Sequence, residues 1–504
     1  MDLPQYVPTK EAVKFAAVVF LLYICTLAPD LVWQDQGDYQ YQSAKLILSI
    51  PGDVVRVHPL YIIVSHMLGK FTPLNWAYAS NLVSAICGAL TGLNLFLIIA
   101  LLSRSSFAAF LGSGLYCLAH TPWFIGVQAQ TYSMAMALMT GGILASLIYC
   151  QNPKKKYLVA MGLAFGLGIS THLMSQIAFA VIMAWFFWRF CRRREKFINL
   201  LIIGLCWLAG GLMLWIVMAM EYNSTGDLKG TIASAIWGRW GNAVFNFDQV
   251  PYLIKQSIKF FVLNFPTPLV LFIIPGFIYS YKKLERPVTN TLLVITLLSA
   301  VFAARYDVPN QNHFFLPMYA MLCIYIGLGY KLIKQDGNRR VTIISAAMLL
   351  LVPAMYPAMS HILRTKNIPL GTRRHIPYRD VYSYYIEPWQ QDQTGPRLLV
   401  EQTLAKLPVK SILYVDSTIM SAFQYALYIE NKRNDIMLME IGEPLFEHVK
   451  NFRMFTICNE DHYRPNWASP DMLAPFDISE TEHIYEIVLQ QEGAQAPKQP
   501  TPLN

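Results

Sequence analysis

The chain has 504 residues, of which 55% are hydrophobic and only 14% charged, with a mean hydropathy of +0.36. A soluble protein of this length carries about a quarter charged residues, so the composition excludes an ordinary soluble enzyme and points to repeated apolar spans of about 20 residues. The net charge of +9 is not a nucleic-acid signature, because its largest blocks are short turns beside apolar stretches, where orientation and anionic lipid account for them.

The apolar pattern predicts about eleven spans, near residues 13–31, 76–102, 106–122, 127–150, 158–172, 175–191, 198–220, 258–280, 290–304, 314–332 and 341–359. The first is too long for a signal-peptide core and lacks a small-x-small cleavage site, so it reads as a retained signal anchor. Basic clusters fill alternate loops: Lys154 to Lys156, Arg192 to Arg194 with Lys196, Lys282, Lys283 and Arg286, then Lys331, Lys334, Arg339 and Arg340. By the positive-inside rule these loops and the N-terminus are cytoplasmic, and an odd span number puts the C-terminus outside. Asp35, Asp38, His58, His120, His172, Asp307 and His313 then share the outer face. A polytopic protein that gathers its ionisable groups at one face does chemistry or binding there.

Three outside segments are long enough to carry function. The first, 32–75, holds Asp35-Gln36-Gly37-Asp38. An amphipathic stretch from Tyr39 to Ile50 follows, expected to lie flat in the interface, then a Pro51-Gly52 break, Arg56-Val57-His58-Pro59 and a second short apolar helix. The second, 221–255, holds Lys229, Trp237, Arg239 and Trp240; the third is 305–313. From about Ser360 the composition turns to that of a soluble protein, giving a membrane domain over 1–359, a soluble domain over 360–490 and a polar, disordered tail over 491–504. Helices are predicted at 397–407, 420–430 and 445–452, alternating with strands at 411–415, 436–441 and 454–458, and a last strand at 484–489. That order predicts a small α/β domain with a mostly parallel sheet. The expected fold class is thus a polytopic α-helical membrane protein with a C-terminal extracytoplasmic α/β domain. No Cys-x-x-Cys or Cys/His metal spacing occurs, and only Cys458 of the eight cysteines lies in the soluble part.

Asp35 and Asp38 can converge on one acceptor hydroxyl as general base, or on one divalent cation such as Mg or Mn; the plainer reading makes Asp38 a helix cap. Arg56 and His58 suit a phosphate, or are an interface-snorkelling arginine and a polar helix start. His172 at a span end faces a cavity or meets headgroups, and the same pair of readings applies to His120, Gln130 and Tyr132. Arg305 can hold a phosphate, with Tyr306, Asp307 and His313 beside it. Trp237, Arg239 and Trp240 offer sugar stacking or an aromatic belt. Asp416 ends a strand, where open sheets bind ligands, or caps the next helix.

These motifs, in this order, resemble the GT-C superfamily of polytopic glycosyltransferases. The nearest likeness is to the branch that includes the transmembrane O-mannosyltransferase acting on plexin-type receptors. The resemblance rests on Asp35-Gln36-Gly37-Asp38, His58-Pro59-Leu60-Tyr61, Asn81-Leu82-Val83-Ser84-Ala85, Gly162-Leu163 with His172, Tyr306-Asp307-Val308-Pro309 with Phe315-Leu316-Pro317, and Asp416-Ser417-Thr418. One position departs: Gln130-Thr131-Tyr132 stands where the family usually has Glu-x-Tyr. The resemblance implies a GT-C-like membrane domain and transfer of a sugar, with inversion, from a polyprenyl-phosphate donor to a protein, lipid or glycan hydroxyl. The first-loop acid, Asp35 or Asp38, is then the base. Arg56, His58, His172, Arg239 and Arg305 face the donor phosphate, and Gln130, Tyr132, Trp237, Tyr306, Asp307 and His313 face the acceptor or sugar. No cofactor is required beyond a candidate divalent cation. A transporter or flippase for a lipid-linked substrate and a non-catalytic receptor stand as alternatives. The absence of a cleaved leader and the compact length favour a bacterial inner membrane.

Overall fold

The computed structural model describes residues 8–244, 249–308, 310–334, 339–370, 375–444, 452–458, 463–478 and 483–489. The helix expected over 445–452 falls almost wholly outside them, as does the tail from 491. The described chain is mostly helical. Five helices are long and apolar enough to cross a membrane: Trp76–Ser103, Thr131–Gln151, Leu173–Cys191, Arg286–Arg305 and Gln311–Ile333. Three bent pairs raise the number to eight if each is one span. The sharpest, Val250–Asn264 with Pro268–Lys283, turns by 107° at Pro266 and Pro268, where the missing N–H groups and the rings end the helix. Trp76–Ser103, Thr131–Gln151 and Gln311–Ile333 are 67%, 72% and 83% buried and form the centre; Leu173–Cys191 and Arg286–Arg305, at 28% and 33%, lie at the rim.

The first four helices are α1 Thr9–Cys25, α2 Gln34–Lys45, α3 Pro59–Phe71 and α4 Trp76–Ser103. Helix α2 starts five residues before the expected Tyr39 and stops at Leu46, which takes the left-handed conformation (φ 55°). Both acids therefore lie inside the helix. Trp33 holds the N-cap position, so Asp38 is not a cap. Nor is α2 a surface helix with one apolar side. It packs against α3, α4 and helix Ser417–Tyr428, and buries Gln36, Gly37, Tyr39, Gln40, Gln42 and Ser43. A polar face can be buried when its groups find partners. Gln40 shows how: its Oε1 accepts from Val32 N (3.1 Å), and its Nε2 donates to Asp30 O and Asn81 Oδ1 (3.0 Å each). Gly37 is required by space, since a Cβ there would stand 2.6 Å from Val32 O.

The C-terminal part carries five strands, β1 Ser411–Val415, β2 Met437–Glu440, β3 Arg453–Thr456, β4 Leu473–Ile478 and β5 His483–Ile487, in the order β2-β1-β3-β5-β4. β1 runs parallel to β2 and β3, while β5 is antiparallel to β3 and β4. The sheet is thus mixed rather than mostly parallel. The short connection between β4 and β5 allows only a hairpin, whereas parallel neighbours need a crossover. Asp416 caps helix Ser417–Tyr428, accepting from Thr418 N (3.2 Å) and Thr418 Oγ1 (2.7 Å). The capping alternative is the one realised.

Gly37→Ala should push α2 off Val32 and destabilise the protein by about 1–3 kcal/mol, as overpacking does. A lowered unfolding temperature of the purified variant in nanodiscs checks this; an unchanged one contradicts it.

Candidate active site

Asp35 and Asp38, three apart on α2, lie on one helix face. Asp35 is exposed and Asp38 half-buried. Asp38 Oδ2 accepts from Gln42 Nε2 (2.8 Å) and Arg56 Nη2 (3.1 Å). Its Oδ1 has no donor among the described residues, and so can take a proton from a substrate. Burial pushes the Asp38 carboxyl above the usual carboxylate value; Arg56 opposes that rise and Asp35 adds to it. A carboxylate whose proton affinity is raised by burial, beside a guanidinium that favours its charged form, has the properties of a general base.

Arg56 is fixed from its other side by Asp53, 3.7 Å away. The turn that presents both is clasped by the second outside segment. Gly52 N donates to Glu221 Oε1 (2.8 Å), and Val54 N to Ser234 Oγ (2.9 Å). Gly238, at φ +51°, lies so near that a Cβ would stand 2.4 Å from Asp53 Oδ1. Only glycine fits there on both counts. This explains the Trp237-Gly238-Arg239-Trp240 run in part. The 3-10 turn Gly238–Trp240 closes over Asp53, with Trp237 36% exposed beside it; the Arg239 side chain lies outside the described residues.

His58 is buried and left-handed (φ 49°, ψ 55°) directly before Pro59. Both features are unfavourable for a non-glycine residue, so the surroundings must hold it there. Its Nδ1 donates to Thr171 O at 2.6 Å. The His172 ring stacks on it, 5.3 Å between centroids and 16° between planes. His172 Nδ1 accepts from Met174 N (3.1 Å), which leaves the ring proton on Nε2. Burial lowers His58 to about 4, with Arg56 adding and the Thr171 carbonyl opposing. Burial also lowers His172, with His58 and His313 adding. At neutral pH both rings are therefore uncharged, hydrogen-bonding groups rather than cations. An aromatic wall continues from them: Tyr132 lies 4.6 Å from His172 and 5.3 Å from His313, and Tyr306 packs on Phe314 at 4.5 Å.

The third outside loop closes the site. Asn310 Nδ2 reaches Asp35 Oδ2 at 3.5 Å, and burial pushes the Tyr306 phenol up to about 12, with Asp53 adding. Arg305 ends the helix Arg286–Arg305, and Asp307 is half-buried next to it. Gln130 is buried as the cap of Thr131–Gln151: its Oε1 accepts from Thr131 N (3.0 Å), and its N donates to Tyr61 Oη (3.0 Å) and Ser84 Oγ (2.9 Å). Its partner Tyr61 lies 6.1 Å from Tyr39, and the helix that it caps carries Tyr132. His120 packs on Phe124 and Tyr356.

The fold thus brings Asp35, Asp38, Arg56, His58, His172, Tyr132, His313 and Tyr306 together. Sequence reasoning missed Asp53, Tyr39, Asn310 and Glu221. Asp53 had a signal, standing three residues before Arg56; Glu221 had none. Among the described residues no group of three or more His, Cys, Asp or Glu is arranged to hold a metal.

Solved structures share this architecture. ArnT from Cupriavidus metallidurans in the apo state matches with a TM-score of 0.61 at 14% identity, over 97% of this chain and 100% of that one. The same enzyme bound to undecaprenyl phosphate matches at 0.54 and 13%, with the same coverage. An oligosaccharyltransferase from Archaeoglobus fulgidus, in complex with Zn and sulfate, matches at 0.51 and 16%, over 86% of this chain and 63% of that one. The chain shares the fold of these structures, the GT-C fold that its motifs resemble. Residues 35–196 match the family model of the protein O-mannosyl-transferase TMEM260 N-terminal domain. That stretch contains Asp35, Asp38, Arg56, His58, Gln130, Tyr132 and His172, so the resemblance drawn from the motifs is met. No curated protein sequence matches the chain.

Because His58 titrates lower folded than unfolded, its contribution to stability is complete above about pH 6.5 and is lost as pH falls toward about 4. The loss should be on the order of 3 kcal/mol at the acid end. Unfolding temperatures from pH 7.5 down to 4.5 should fall steeply in the wild type and less in His58→Gln; parallel curves would remove His58 as the cause.

Proposed function

We propose that this protein is an inverting glycosyltransferase that moves a sugar from a polyprenyl-phosphate donor to a hydroxyl acceptor on the extracytoplasmic face. The observation that carries the reading is Asp38, with one oxygen bound to Gln42 and Arg56 and the other without a donor among the described residues. Asp38 Oδ1 takes the proton of the acceptor hydroxyl as its oxygen attacks the anomeric carbon. The bond from that carbon to the phosphate oxygen breaks, and the charge passes to the lipid phosphate. Arg56 is committed to Asp38 and Asp53, so it serves the base first. The phosphate is left to the neutral His172 Nε2–H, to Arg305 and to Arg239. Tyr132, Tyr306 and His313 supply the ring faces and edges that hold the sugar, with Trp237 and Asp307 at the rim and Gln130 behind them. A Glu at position 130 would sit buried at a helix cap, and Gln caps it without a charge.

The topology belongs to the same reading. Eight spans become eleven when α1, Ser106–Leu118 and Lys155–Ile169 are added. The positive-inside rule then puts the N-terminus in the cytoplasm and the site outside, in a bacterial inner membrane. Helix Ser417–Tyr428 packs on α2, which supports a C-terminal α/β domain, 360–490, on the same side as Asp38. A transporter would keep such groups near the midplane between repeats, whereas these lie on α2 and on the turns and helix ends between the apolar helices. A hydrated Mg or Mn ion at Asp35 and Asp38 fits two carboxylates and no more, since such an ion keeps most of its waters.

The test is turnover in nanodiscs with polyprenyl-phosphate mannose, glucose and arabinose, reading free polyprenyl phosphate. Asp38→Asn should lose about 10²–10⁴-fold in rate and Arg56→Ala somewhat less. Full activity in Asp38→Asn rejects the assignment. Activity lost to a chelator and restored by Mg or Mn would add the cation; activity indifferent to chelation would leave Arg56 as the counter-charge.

A further inference from the structure

Outside the site, one side chain that joins distant parts of the chain through several bonds is Arg397, on helix Gly395–Lys406. Its Nε and Nη2 donate to both carboxylate oxygens of Asp30, and its Nη1 and Nη2 donate to Glu430 Oε2 and Oε1 at 2.7 Å. Asp30 is 367 residues away in sequence. It lies just past α1 and four residues before α2 begins. Arg397 is 17% exposed, so this two-sided fork is sheltered and stronger than a surface pair.

Asp30 is a junction. Its carbonyl accepts from Gln40 Nε2 (3.0 Å) and Asn81 Nδ2 (3.1 Å). Gln40 lies two residues after Asp38, and Asn81 lies on α4. The same C-terminal part touches α2 at further points. Ser421 Cβ is 3.4 Å from where a Gly37 Cβ would be, Tyr428 faces Tyr41 at 6.4 Å, and the Arg379 guanidinium lies 5.8 Å from the Trp33 ring. Tyr425 Oη meanwhile accepts from Ala77 N on α4 (3.2 Å).

We infer that Arg397 is a positioning residue: through Asp30 and Gln40 it sets the place of α2, and so the distance of Asp38 from Arg56 and from the substrate. This rests on the transferase reading above for its kinetic consequence. The C-terminal part then acts as half of the frame of the active site and does more than cover it. Its removal would disorder the base without touching a substrate-binding group.

The experiment uses the full chain in nanodiscs. The variants are Arg397→Met, Asp30→Asn, which keeps the Arg397–Glu430 pair, and the double. Three readouts are expected to move together. Hydrogen exchange of residues 34–45 should quicken. The kcat per folded molecule should fall about tenfold with donor KM little changed, the pattern of a misplaced group. The acid limb of the kcat profile should shift, because Asp38 is held between Arg56, 3.1 Å away on the turn, and Asp35 and Gln42 on its own helix. The double variant should be no worse than the poorer single one. Unchanged exchange in α2 overturns the inference, as does a loss of kcat that follows the folded fraction with the acid limb unmoved. If the wild type turns over no donor, the transferase reading fails by itself, and α2 exchange still decides the clamp.

Discussion

The pairing of Asp38 with Arg56 is the contact on which the surrounding architecture converges. A carboxylate drawn out of water rises in pKa and loses its charge unless a cation is held nearby. The cation must itself be fixed, since a mobile guanidinium would leave the base undefined. Asp53 fixes it, and three separate pieces of chain fix Asp53: the Pro51-Gly52 turn on Glu221, Val54 on Ser234, and Gly238 against the carboxylate itself. Residues 221–240, which read as a second loop, are thus the outer wall of the first.

The opposite wall is built on another principle. His58, His172, Tyr132, His313, Phe314 and Tyr306 pack ring against ring, and burial keeps the two histidines outside the spans, His58 and His172, uncharged. A site that meets developing negative charge does not need every nearby group to be a cation. Neutral donors in a low-dielectric setting stabilise a developing charge without repelling one another in the empty state. The left-handed backbone at His58, held by its bond to Thr171, is the strain this arrangement carries.

Helix α2 joins the two walls, and its buried face is polar. Gln40 alone bonds to the 30–32 connector, through Asp30 and Val32, and to Asn81 on α4. Directional bonds of this kind fix a helix more narrowly than apolar packing, which tolerates sliding. That suits a helix whose task is to hold one oxygen in place. The C-terminal sheet, through helix Ser417–Tyr428 and Arg397, adds the remaining contacts.

Much of this was legible in the chain itself. Apolar run lengths and the alternation of basic loops depend only on local composition and on water's preference for charge. So the membrane class, the acids and histidines between the apolar stretches and the Asp35-Gln36-Gly37-Asp38 motif could be read directly. Local pattern misjudged α2, because its start is set by burial against residues far away and not by a cap of its own. It also predicted too parallel a sheet, because β4 and β5 pair through a hairpin that residue periodicity does not encode. The charge state of His58 and His172 depends on how much protein surrounds them. The roles of Asp53, Glu221 and Arg397 depend on partners up to hundreds of residues distant. Residue types and spacing picked out the acids, histidines and aromatic residues between the apolar stretches. Only the packed structure decided which of them touch, that burial keeps His58 and His172 neutral, and which oxygen of Asp38 has no donor among the described residues, because desolvation and long-range hydrogen bonds exist only once the chain has folded.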